Sequence, residues 1–509
     1  MKRLLVCLSV LLFVGCASLK PRPEMPADDA LPPGMETVLD RLIAPAEARN
    51  PGKSAFRLVS EGTEAFVVRA RSAAIAGRSL DVQTYIWHND TTGGFLAYRL
   101  LQAADRGVKV RLLVDDMDAR GKHYSFAALD AHPNIQVRLF NPFESRAGKL
   151  RFVAEAVGDF KRINRRMHNK SWIADNRIAV VGGRNLGDEY FGASEEVNFV
   201  DLDFAMVGPV VRDVSVAFDR YWNSGAAYPV ALLAPKDVTP EALAALRART
   251  APLAQEAGSL RYAQELKNDE AVQKLVAGDW PMQWTSDYRF IADDPLKAMG
   301  EGEAVASSNV LAMLRPMLMS AAREIHIISP YFVPGEAGTE RLVEVARSGR
   351  QVSILTNSLA ANDVAAVYGG YSRWRKPLLQ GGVKLWELKP AAGSNVKSGL
   401  FGSSGASLHT KAMAMDGSRV FVGSYNIDPR STSLNTEQGV FVEHPVIGAQ
   451  LDQLFAAQTA ATRAWAVTLE DDTLRWTDGD GTLDRAPGAS LGKKFQAWLA
   501  KVLRIDAQL

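Results

Sequence analysis

The pattern His-x-Lys-x4-Asp occurs twice in this chain, and its residue types suit chemistry on a negatively charged phosphoryl group. Each copy is followed, at the same distance, by a Gly-x-x-Asn segment. The residues of the two motifs are His168, Lys170, Asp175, His409, Lys411 and Asp416. One copy alone would be a weak signal, but two copies with matching downstream segments predict a functional site built from both.

The histidine and lysine of each motif determine what that site could do. Imidazole has an ordinary pKa of about 6.5, so it can both accept and donate a proton near neutral pH. A lysine two residues further along a strand points to the same side, where its ammonium group attracts phosphoryl oxygens. With one motif on each side of a phosphodiester, one imidazole could attack phosphorus while the other protonates the leaving alcohol. A second step, with water or another alcohol, would reverse these roles.

Further side chains near the motifs refine this hypothesis. Lys170 and Lys411 supply the positive charge that a metal ion would otherwise provide, so we expect neither a metal nor a cofactor. The amides of Asn185 and Asn426, which end the Gly-x-x-Asn segments, can donate hydrogen bonds to the same group. The near-symmetry of the motifs leaves open which histidine attacks. The five other histidines lack such partners and are interpreted as ordinary: His88, His123, His132, His326 and His444.

Alternating strands and helices surround the first motif. Strands are predicted over 79–87, 108–114 and 135–140, with a helix over 94–106. Residues 35–78 have a helical pattern throughout. The motif itself is predicted as a hairpin that turns at Asp175, and we expect this aspartate, like Asp416, to brace its motif instead of contacting a substrate.

The second half of the chain repeats this order. Its strands are predicted over 324–331, 352–356 and 383–388, and the motifs are about 240 residues apart. Strand–helix alternation indicates sheets covered by helices. The sequence therefore predicts an α/β fold of two duplicated mixed-sheet α/β sandwich units that share one active site.

Changes in composition divide the chain. Residues 35–222 form the first predicted unit, 223–283 an Ala-, Leu- and Glu-rich helical connector, and 284–465 the second unit. Residues 466–509 contain a polar hairpin and a basic amphipathic helix, whose apolar face has Phe495, Trp498, Leu499 and Val502. This helix could lie on an anionic membrane surface or dock its apolar face on the body of the protein.

Residues 1–16 and 17–34 have the patterns of a secretion signal and of a Pro-rich extended tether. The apolar run before Cys16 is too short to predict a membrane-spanning helix. Its ending resembles the lipobox of bacterial lipoproteins, in which the cysteine becomes the acylated N-terminus; an ordinary signal peptide or an uncleaved anchor is the alternative. The resemblance implies a membrane-anchored lipoprotein on the periplasmic side, and Ala17 after the cysteine implies sorting to the outer membrane.

Composition argues against two classes of site. The formal net charge of +2 gives no electrostatic footprint for nucleic acid, so no nucleic-acid partner is expected. Both cysteines, Cys7 and Cys16, lie in the predicted signal segment. The predicted folded body therefore has neither a disulfide framework nor a cysteine-based zinc site.

The paired motifs resemble those of the phospholipase D superfamily, and this resemblance extends over nearly the whole chain after the tether. Further segments are similar to bacterial cardiolipin synthases, in particular to their C type. They include Asp81-Val-Gln-Thr-Tyr-Ile-Trp87, Asn164-Arg-Arg-Met-His-Asn-Lys170, Tyr331-Phe-Val-Pro334 and Asp428-Pro-Arg-Ser431.

The resemblance implies a role for each motif residue. His168 would be the nucleophile that forms a phosphohistidine, and His409 would be the general acid and then the general base. Four side chains would bind the phosphoryl oxygens: Lys170, Asn185, Lys411 and Asn426. An acidic residue beyond each motif orients the histidines in this family; the candidates here are Asp201 and Glu437, with Asp203 as a competitor for the first.

The implied activity is phosphatidyl transfer between membrane phospholipids to give cardiolipin. Phosphatidylglycerol is the implied substrate, with phosphatidylethanolamine as a further candidate. Three alternatives stay open at this point: a phospholipase D that uses water as acceptor, a nuclease of the same superfamily, and a non-catalytic surface lipoprotein. The near-neutral charge argues against the nuclease and the intact motifs against the non-catalytic protein, but no residue decides between water and an alcohol as acceptor.

Overall fold

The structure is a computed structural model that describes residues 22–119, 123–144, 155, 159–256, 268, 270, 273–274, 279–300, 309–362, 364–390 and 408–503. The predicted signal segment 1–16 with Cys16, the start of the tether, much of the predicted connector and the end of the predicted C-terminal helix lie outside the described residues.

Helices and strands alternate along both halves of the described chain. The helices are α1 Val38–Arg49, α2 Gly62–Ile75, α3 Thr91–Asp105, α4 Asp116–Ala119, α5 His123–Asp130, α6 Phe160–Ile163, α7 Asp188–Phe191, α8 Pro209–Asn223, α9 Val230–Leu233, α10 Pro240–Glu256, α11 Leu296–Met299, α12 Asn309–Met319, α13 Gly335–Arg347, α14 Ala365–Ser372, α15 Arg375–Gln380, α16 Pro429–Ser433, α17 Pro445–Thr459 and α18 Leu491–Leu503. The strands are β1 Ser54–Val59, β2 Ser79–Thr84, β3 Lys109–Asp115, β4 Ile135–Phe140, β5 Ser171–Ala174, β6 Ile178–Gly182, β7 Asp203–Val207, β8 Ala227–Pro229, β9 Gln283–Thr285, β10 Tyr288–Ala292, β11 Glu324–Ile328, β12 Gln351–Asn357, β13 Lys384–Leu388, β14 Ala412–Met415, β15 Arg419–Gly423, β16 Gln438–Glu443, β17 Ala464–Glu470, β18 Thr473–Asp478 and β19 Gly481–Leu483.

Two mixed sheets contain these strands. Their orders are β8-β4-β3-β2-β5-β6-β7-β1-β9 and β10-β16-β15-β14-β11-β12-β13-β17-β18-β19. Strands β2, β3 and β4 run parallel, as do β11, β12 and β13, and the other ladders are antiparallel. The first sheet therefore contains the order β4-β3-β2-β5-β6-β7-β1, and the second sheet, read from its other end, contains the matching order β13-β12-β11-β14-β15-β16-β10. The predicted duplicated α/β fold is confirmed.

A shared apolar core joins the two sheets. Residues of both units, among them Ile173 and Val181 of the first sheet and Val422 and Val440 of the second, pack in one cluster with helices α8 and α17. Strand β2 is buried along its whole length, as expected for a parallel strand that is covered on both faces. The two sheets are consequently held face to face, and their motif-bearing hairpins, β5–β6 and β14–β15, are parts of the interface.

The predicted helix over 35–78 is wrong in its middle part. Residues 54–59 form β1, which pairs with β7 and β9, and helices flank it on both sides. The predicted connector also contributes to the first sheet, since β8 pairs with β4 and β9 pairs with β1. These pairings join segments far apart in the chain, and no local pattern encodes them.

The C-terminal helix α18 packs on α14 through small residues. Ala497 and Ala500 are buried there, and a Cβ added to Gly369 would lie 2.3 Å from the carbonyl oxygen of Ala497. Phe495 and Trp498, in contrast, are 60% and 56% exposed and stack on each other. The alternative in which the large apolar face docks on the body is therefore wrong. Among the described helices, none combines the length and apolar character that crossing a bilayer requires.

Candidate active site

The two motifs meet at the interface between the units. The backbone N–H of His168 donates to the carbonyl of Thr436 (2.9 Å), and that of His409 donates to the carbonyl of Val200 (2.8 Å). Each motif is thus hydrogen-bonded to the chain of the opposite unit. The structure brings the histidines and lysines of both motifs into one site.

The carboxylates that orient the histidines are exchanged between the units. Nδ1 of His168 lies 3.0 Å from Oε2 of Glu437, and Nδ1 of His409 lies 2.6 Å from Oδ2 of Asp201. Both carboxylates are buried. Because a carboxylate accepts a hydrogen bond, each Nδ1 carries the proton, and the lone pair is left on each Nε2.

Burial, with the help of the nearby lysines, keeps both imidazoles neutral. Burial lowers the pKa of His168 to about 4 and that of His409 to about 3, and the lysines act in the same direction. Burial alone would raise the pKa of Asp201 and Glu437, but the facing histidine and lysine hold each below its ordinary value. At neutral pH the free site therefore contains two carboxylates and two nucleophilic imidazoles.

The lysines hold the backbone of their own motifs. Nζ of Lys170 donates to the carbonyl of His168, and Nζ of Lys411 donates to that of His409, each at 2.6 Å. Both side chains are buried, and burial lowers the pKa of Lys170 well below its ordinary value, with the like charge of Lys411 adding to the effect. An anion bound between these two lysines would favour the charged form of each.

Aromatic rings limit how the imidazoles can turn. The Tyr85 ring meets His168 edge-on at 5.3 Å between centroids. His409 lies between Tyr190, edge-on at 5.3 Å, and Phe199, stacked at 5.6 Å. Each imidazole is thus fixed by a carboxylate and by at least one ring, which orients its Nε2.

The two predicted asparagines differ in their contacts. Both ends of the Asn185 amide are hydrogen-bonded within the protein. Its Oδ1 accepts from the N–H of Ile86, and its Nδ2 donates to the Tyr190 hydroxyl. Oδ1 of Asn426 is buried without a hydrogen-bond partner. Of the two asparagines, Asn426 is therefore the one whose side-chain oxygen the protein leaves without a partner.

The motif aspartates lie in the hairpin turns, away from the histidines. Asp175 and Asp416 have left-handed backbone angles, with φ of 53° and 55°. Each carboxylate accepts hydrogen bonds from three consecutive backbone N–H groups, those of residues 77–79 and of residues 322–324. Burial alone would raise the pKa of Asp416, but these donors and Arg419 lower it to about 2. The contacts of Asp175 and Asp416 are thus those of residues that brace the turns.

Asp203, the competitor of Asp201, has other partners. Its Oδ2 lies 3.0 Å from Nη2 of Arg69 and 3.2 Å from Nη1 of Arg184. This buried ion triad connects α2 to the segment between Gly183 and Asn185. Asp201 is therefore the carboxylate that contacts the histidine.

Ser424 is a site residue that the motif analysis missed. Its hydroxyl donates to Oε2 of Glu437, and its carbonyl oxygen lies 3.1 Å from Nδ1 of His168. The equivalent position in the first unit is Gly183, where an added Cβ would lie 2.3 Å from Oδ1 of Asp201. The difference between Gly-Gly and Gly-Ser in otherwise matching segments was the available sequence signal.

Three of the remaining histidines also have carboxylate neighbours. His132 and His326 pair with Asp105 and Asp452, at 3.1 Å and 2.8 Å. Nδ1 of His88 lies 2.9 Å from Oε1 of Glu189. Within the described part of the chain, His88, Glu189 and Asp90 are the one group with the spacing of metal ligands, and they do not include a motif residue.

Similarity to known proteins extends over most of the chain. A model of the family described as "Cardiolipin synthase, PLD-like domain" matches residues 71–222 and 314–459. Cardiolipin synthase C of Escherichia coli (strain K12) is 41% identical over 472 residues, which are 91% of this chain and 98% of that protein. A cardiolipin synthase of Staphylococcus aureus (strain Mu50) is 25% identical over 414 residues, 80% of this chain and 67% of that protein. The crystal structure of phosphatidylserine synthase from Haemophilus influenzae has a TM-score of 0.55 at 13% identity, covers 91% of this chain and 98% of its own, and shows the likeness of the fold.

Proposed function

The chain belongs to the cardiolipin synthase family with phospholipase D-like domains, and we propose that it transfers a phosphatidyl group between phospholipids through a phosphohistidine. The expectation of a phospholipase D superfamily phosphatidyltransferase is confirmed by this membership. The observation that carries the proposal is the pair of neutral imidazoles at the unit interface, each of which donates its Nδ1–H to a buried carboxylate of the other unit.

In the first step, Nε2 of His168 attacks the phosphorus of a phospholipid such as phosphatidylglycerol. The N–P bond forms while the bond from phosphorus to the headgroup oxygen breaks, and His409 gives its Nε2 proton to that leaving oxygen. His409 has to be protonated for this, although its pKa is about 3 in the free site. The negative phosphodiester opposes the charges of Lys170 and Lys411, and so raises the pKa of His409 when substrate binds.

In the second step, the acceptor alcohol takes the place of the departed headgroup. Nε2 of His409 removes the proton of a hydroxyl group on a second phosphatidylglycerol, whose oxygen attacks phosphorus. The N–P bond breaks, His168 returns to its neutral form, and cardiolipin is released. Phosphatidylethanolamine is a second donor compatible with this scheme, since only its leaving alcohol differs. The choice of His168 as the nucleophile rests on the family resemblance, because the contacts of both histidines are similar.

A labelling experiment tests the scheme and the order of the histidines. With a phosphatidyl substrate that has p-nitrophenol as leaving group, no acid is needed for the first step. We expect His409→Ala to accumulate acid-labile labelled phosphoenzyme and His168→Ala to form none, while both fail to make cardiolipin from phosphatidylglycerol vesicles. The reverse labelling would make His409 the nucleophile. Phosphatidic acid as the sole wild-type product would indicate water as the acceptor.

We also propose that the enzyme is held at its lipid by acylation of Cys16, on the periplasmic side and sorted to the outer membrane. The support is the lipobox-like ending before Cys16, the tether behind it and Ala17 after it. Metabolic labelling with an alkyne fatty acid should mark the wild-type protein and not Cys16→Ser. Separation of inner and outer membranes then tests the sorting, and an unlabelled protein released by signal cleavage elsewhere would contradict the anchor.

A further inference from the structure

A cavity of about 350 Å³ opens between helices α12 and α13, above the second sheet. Its walls are apolar side chains of the two helices, such as Leu314, Leu318 and Leu342, and its floor includes Met413 of β14. This volume lies within the range of about 300 to 1,000 Å³ that ligand pockets have. Protein interiors are otherwise packed with few voids, so an apolar space of this size calls for an occupant.

The first unit shows that the fold does not require this space. Its equivalent helices, α2 and α3, precede and follow β2 as α12 and α13 precede and follow β11. There the rings of Phe66 and Phe95 lie 5.5 Å apart and close the gap between the helices. The duplicated unit thus provides a counterpart in which two aromatic rings lie between the equivalent helices.

The lining of the cavity also contains two exposed arginines, Arg315 of α12 and Arg341 of α13. Among the described residues, no carboxylate lies within ion-pair distance of either guanidinium group. Asp428 lines the cavity too, but it caps α16 by accepting from the N–H of Ser431, and burial raises its pKa to about 7. An apolar cleft with two unpaired cations matches an amphiphile with an anionic head.

We propose that this cavity binds one acyl chain of an anionic phospholipid, whose phosphate group pairs with Arg315 and Arg341. One wall is the segment that continues from the second motif, where Tyr425 and Ile427 face the cavity on either side of Asn426. A bound chain therefore packs against the two residues that flank Asn426 in the chain. The inference rests on the proposed use of phospholipids and adds a subsite for them.

Photolabelling of the full-length chain tests the subsite without turnover. The probe is lysophosphatidylglycerol with a diazirine near the end of its acyl chain, applied to the His168→Ala protein below its micelle concentration. We expect mass spectrometry to find the label on α12, α13 and the 425–433 segment. Labelling confined to other regions would overturn the proposal even if the wild-type enzyme makes cardiolipin. Labelling of the cavity in His168→Ala, together with a wild-type enzyme that makes no cardiolipin, would overturn the proposed function and leave the subsite standing.

Matched variants of α13 sharpen the test. Ala337→Trp places a large side chain in the cavity lining, whereas Glu340→Trp places it on the exposed side of the same helix. We expect Ala337→Trp to lower cavity labelling at least about 10-fold, and Glu340→Trp to leave it within about 2-fold. Equal labelling in the two variants, with equal thermal unfolding temperatures, would contradict the proposed acyl chain.

The arginines are tested in the same way. A monoacylglycerol with the same diazirine serves as a second, neutral probe. We expect the double variant Arg315→Gln/Arg341→Gln to weaken labelling by lysophosphatidylglycerol about 10-fold, but labelling by the neutral probe by less than about 2-fold. Arg347→Gln, on the exposed side of α13, is the control and should change neither. Unchanged labelling by the anionic probe in the double variant would overturn the assignment of the phosphate to these arginines.

Discussion

The two motif histidines differ in what surrounds their Nδ1 proton. His409 has the carboxylate of Asp201, whereas His168 has that of Glu437 together with the carbonyl oxygen of Ser424. The Ser424 hydroxyl also holds Glu437 in place. Since a hydrogen bond to a charged group contributes about 1.5 to 3 kcal/mol, this serine is a positioning residue for one half of the mechanism only.

Exchange of the matched positions 183 and 424 tests that asymmetry. We expect Ser424→Gly to lower kcat about 10-fold and to move the acid limb of the pH profile upward, because Glu437 loses a donor and its pKa rises. Gly183→Ser should be far more damaging, since the new Cβ would lie 2.3 Å from Oδ1 of Asp201. Steady-state kinetics over pH 5 to 9 provides the measurement. A Ser424→Gly enzyme with the wild-type pH profile would contradict the positioning role.

The charge state of the histidines gives a second prediction at this scale. An ordinary imidazole gains a proton as the pH falls through about 6.5, but the pKa values of about 4 and 3 keep His168 and His409 neutral there. We expect their Cε1–H resonances to stay constant from pH 8 to pH 6 and to move only below about pH 5. Inorganic phosphate, as an anion between the lysines, should raise both pKa values. Titration near pH 6.5 in the free protein would show that burial and the lysines do not control these groups.

At the level of elements, the motif hairpins depend on their turn aspartates. Both residues have positive φ, which aspartate and asparagine tolerate better than most residues. Asp175 is fully buried, whereas the side chain of Asp416 is 14% exposed. The sequence interpretation as braces agrees with these contacts, and it explains why the third residue of the motif recurs without touching the histidines.

Replacing Asp175 or Asp416 should lower the stability of the fold more directly than the activity. We expect Asp175→Ala to lower the free energy of unfolding by about 2 to 4 kcal/mol, since it leaves buried N–H groups unsatisfied, and Asp416→Ala to cost less. Asn variants, which keep an acceptor, should recover part of each loss. The Asp416 contribution is complete above the ordinary pKa of 3.8 and is lost as the pH falls toward 2. Urea unfolding at pH 7 checks the order of the variants, and a larger loss in Asp416→Ala would contradict it.

The exposed face of α18 is a second feature at the level of elements. The exposed apolar residues of this helix are Leu491, Phe495, Trp498, Leu499 and Val502. Residues 491–503 contain no acidic residue, and two of their three lysines, Lys494 and Lys501, are exposed, whereas Lys493 is buried. A helix with this distribution suits the surface of an anionic bilayer. Its packing through Ala497 and Ala500 fixes the apolar face outward.

We therefore expect Trp498→Glu to weaken binding to phosphatidylglycerol vesicles. The measurement is vesicle co-sedimentation in a Cys16→Ser background, which removes the proposed acyl anchor. Burying an aromatic side chain contributes about 1.5 to 3 kcal/mol, so binding should fall at least about 10-fold. Val216→Glu on α8, another exposed apolar position, is the control and should have no effect. Equal binding by both variants would exclude α18 as the contact.

On the scale of the whole molecule, the active site exists only because the two units face each other. Each histidine takes both its carboxylate and a backbone hydrogen bond from the opposite unit. The apolar cluster that joins the sheets holds these partners in register. The interface between the units is thus part of the candidate active site.

The site should accordingly function within one chain. We expect a mixture of His168→Ala and His409→Ala proteins to remain inactive, because neither chain contains a complete pair of histidines. Cardiolipin formation by the mixture, measured against the wild-type protein at the same total concentration, checks this expectation. Substantial recovery would show that units are exchanged between copies, as in a domain swap.

Local patterns in the sequence were enough to find the candidate residues and the repetition of the fold. A motif repeated with the same spacing predicts that His168 and His409 act as a pair, and local alternation finds strands such as β2 and β11, because period-2 patterns are local. The folded chain was needed to show that Glu437 lies against His168, that Asp201 and not Asp203 lies against His409, and that Ser424 contacts both His168 and Glu437. It was also needed to show that residues 54–59 form a strand, and that a cavity lies between α12 and α13 while Phe66 and Phe95 lie between the equivalent helices of the first unit. Each of these features depends on contacts between residues far apart in the chain, which local propensity and spacing do not encode.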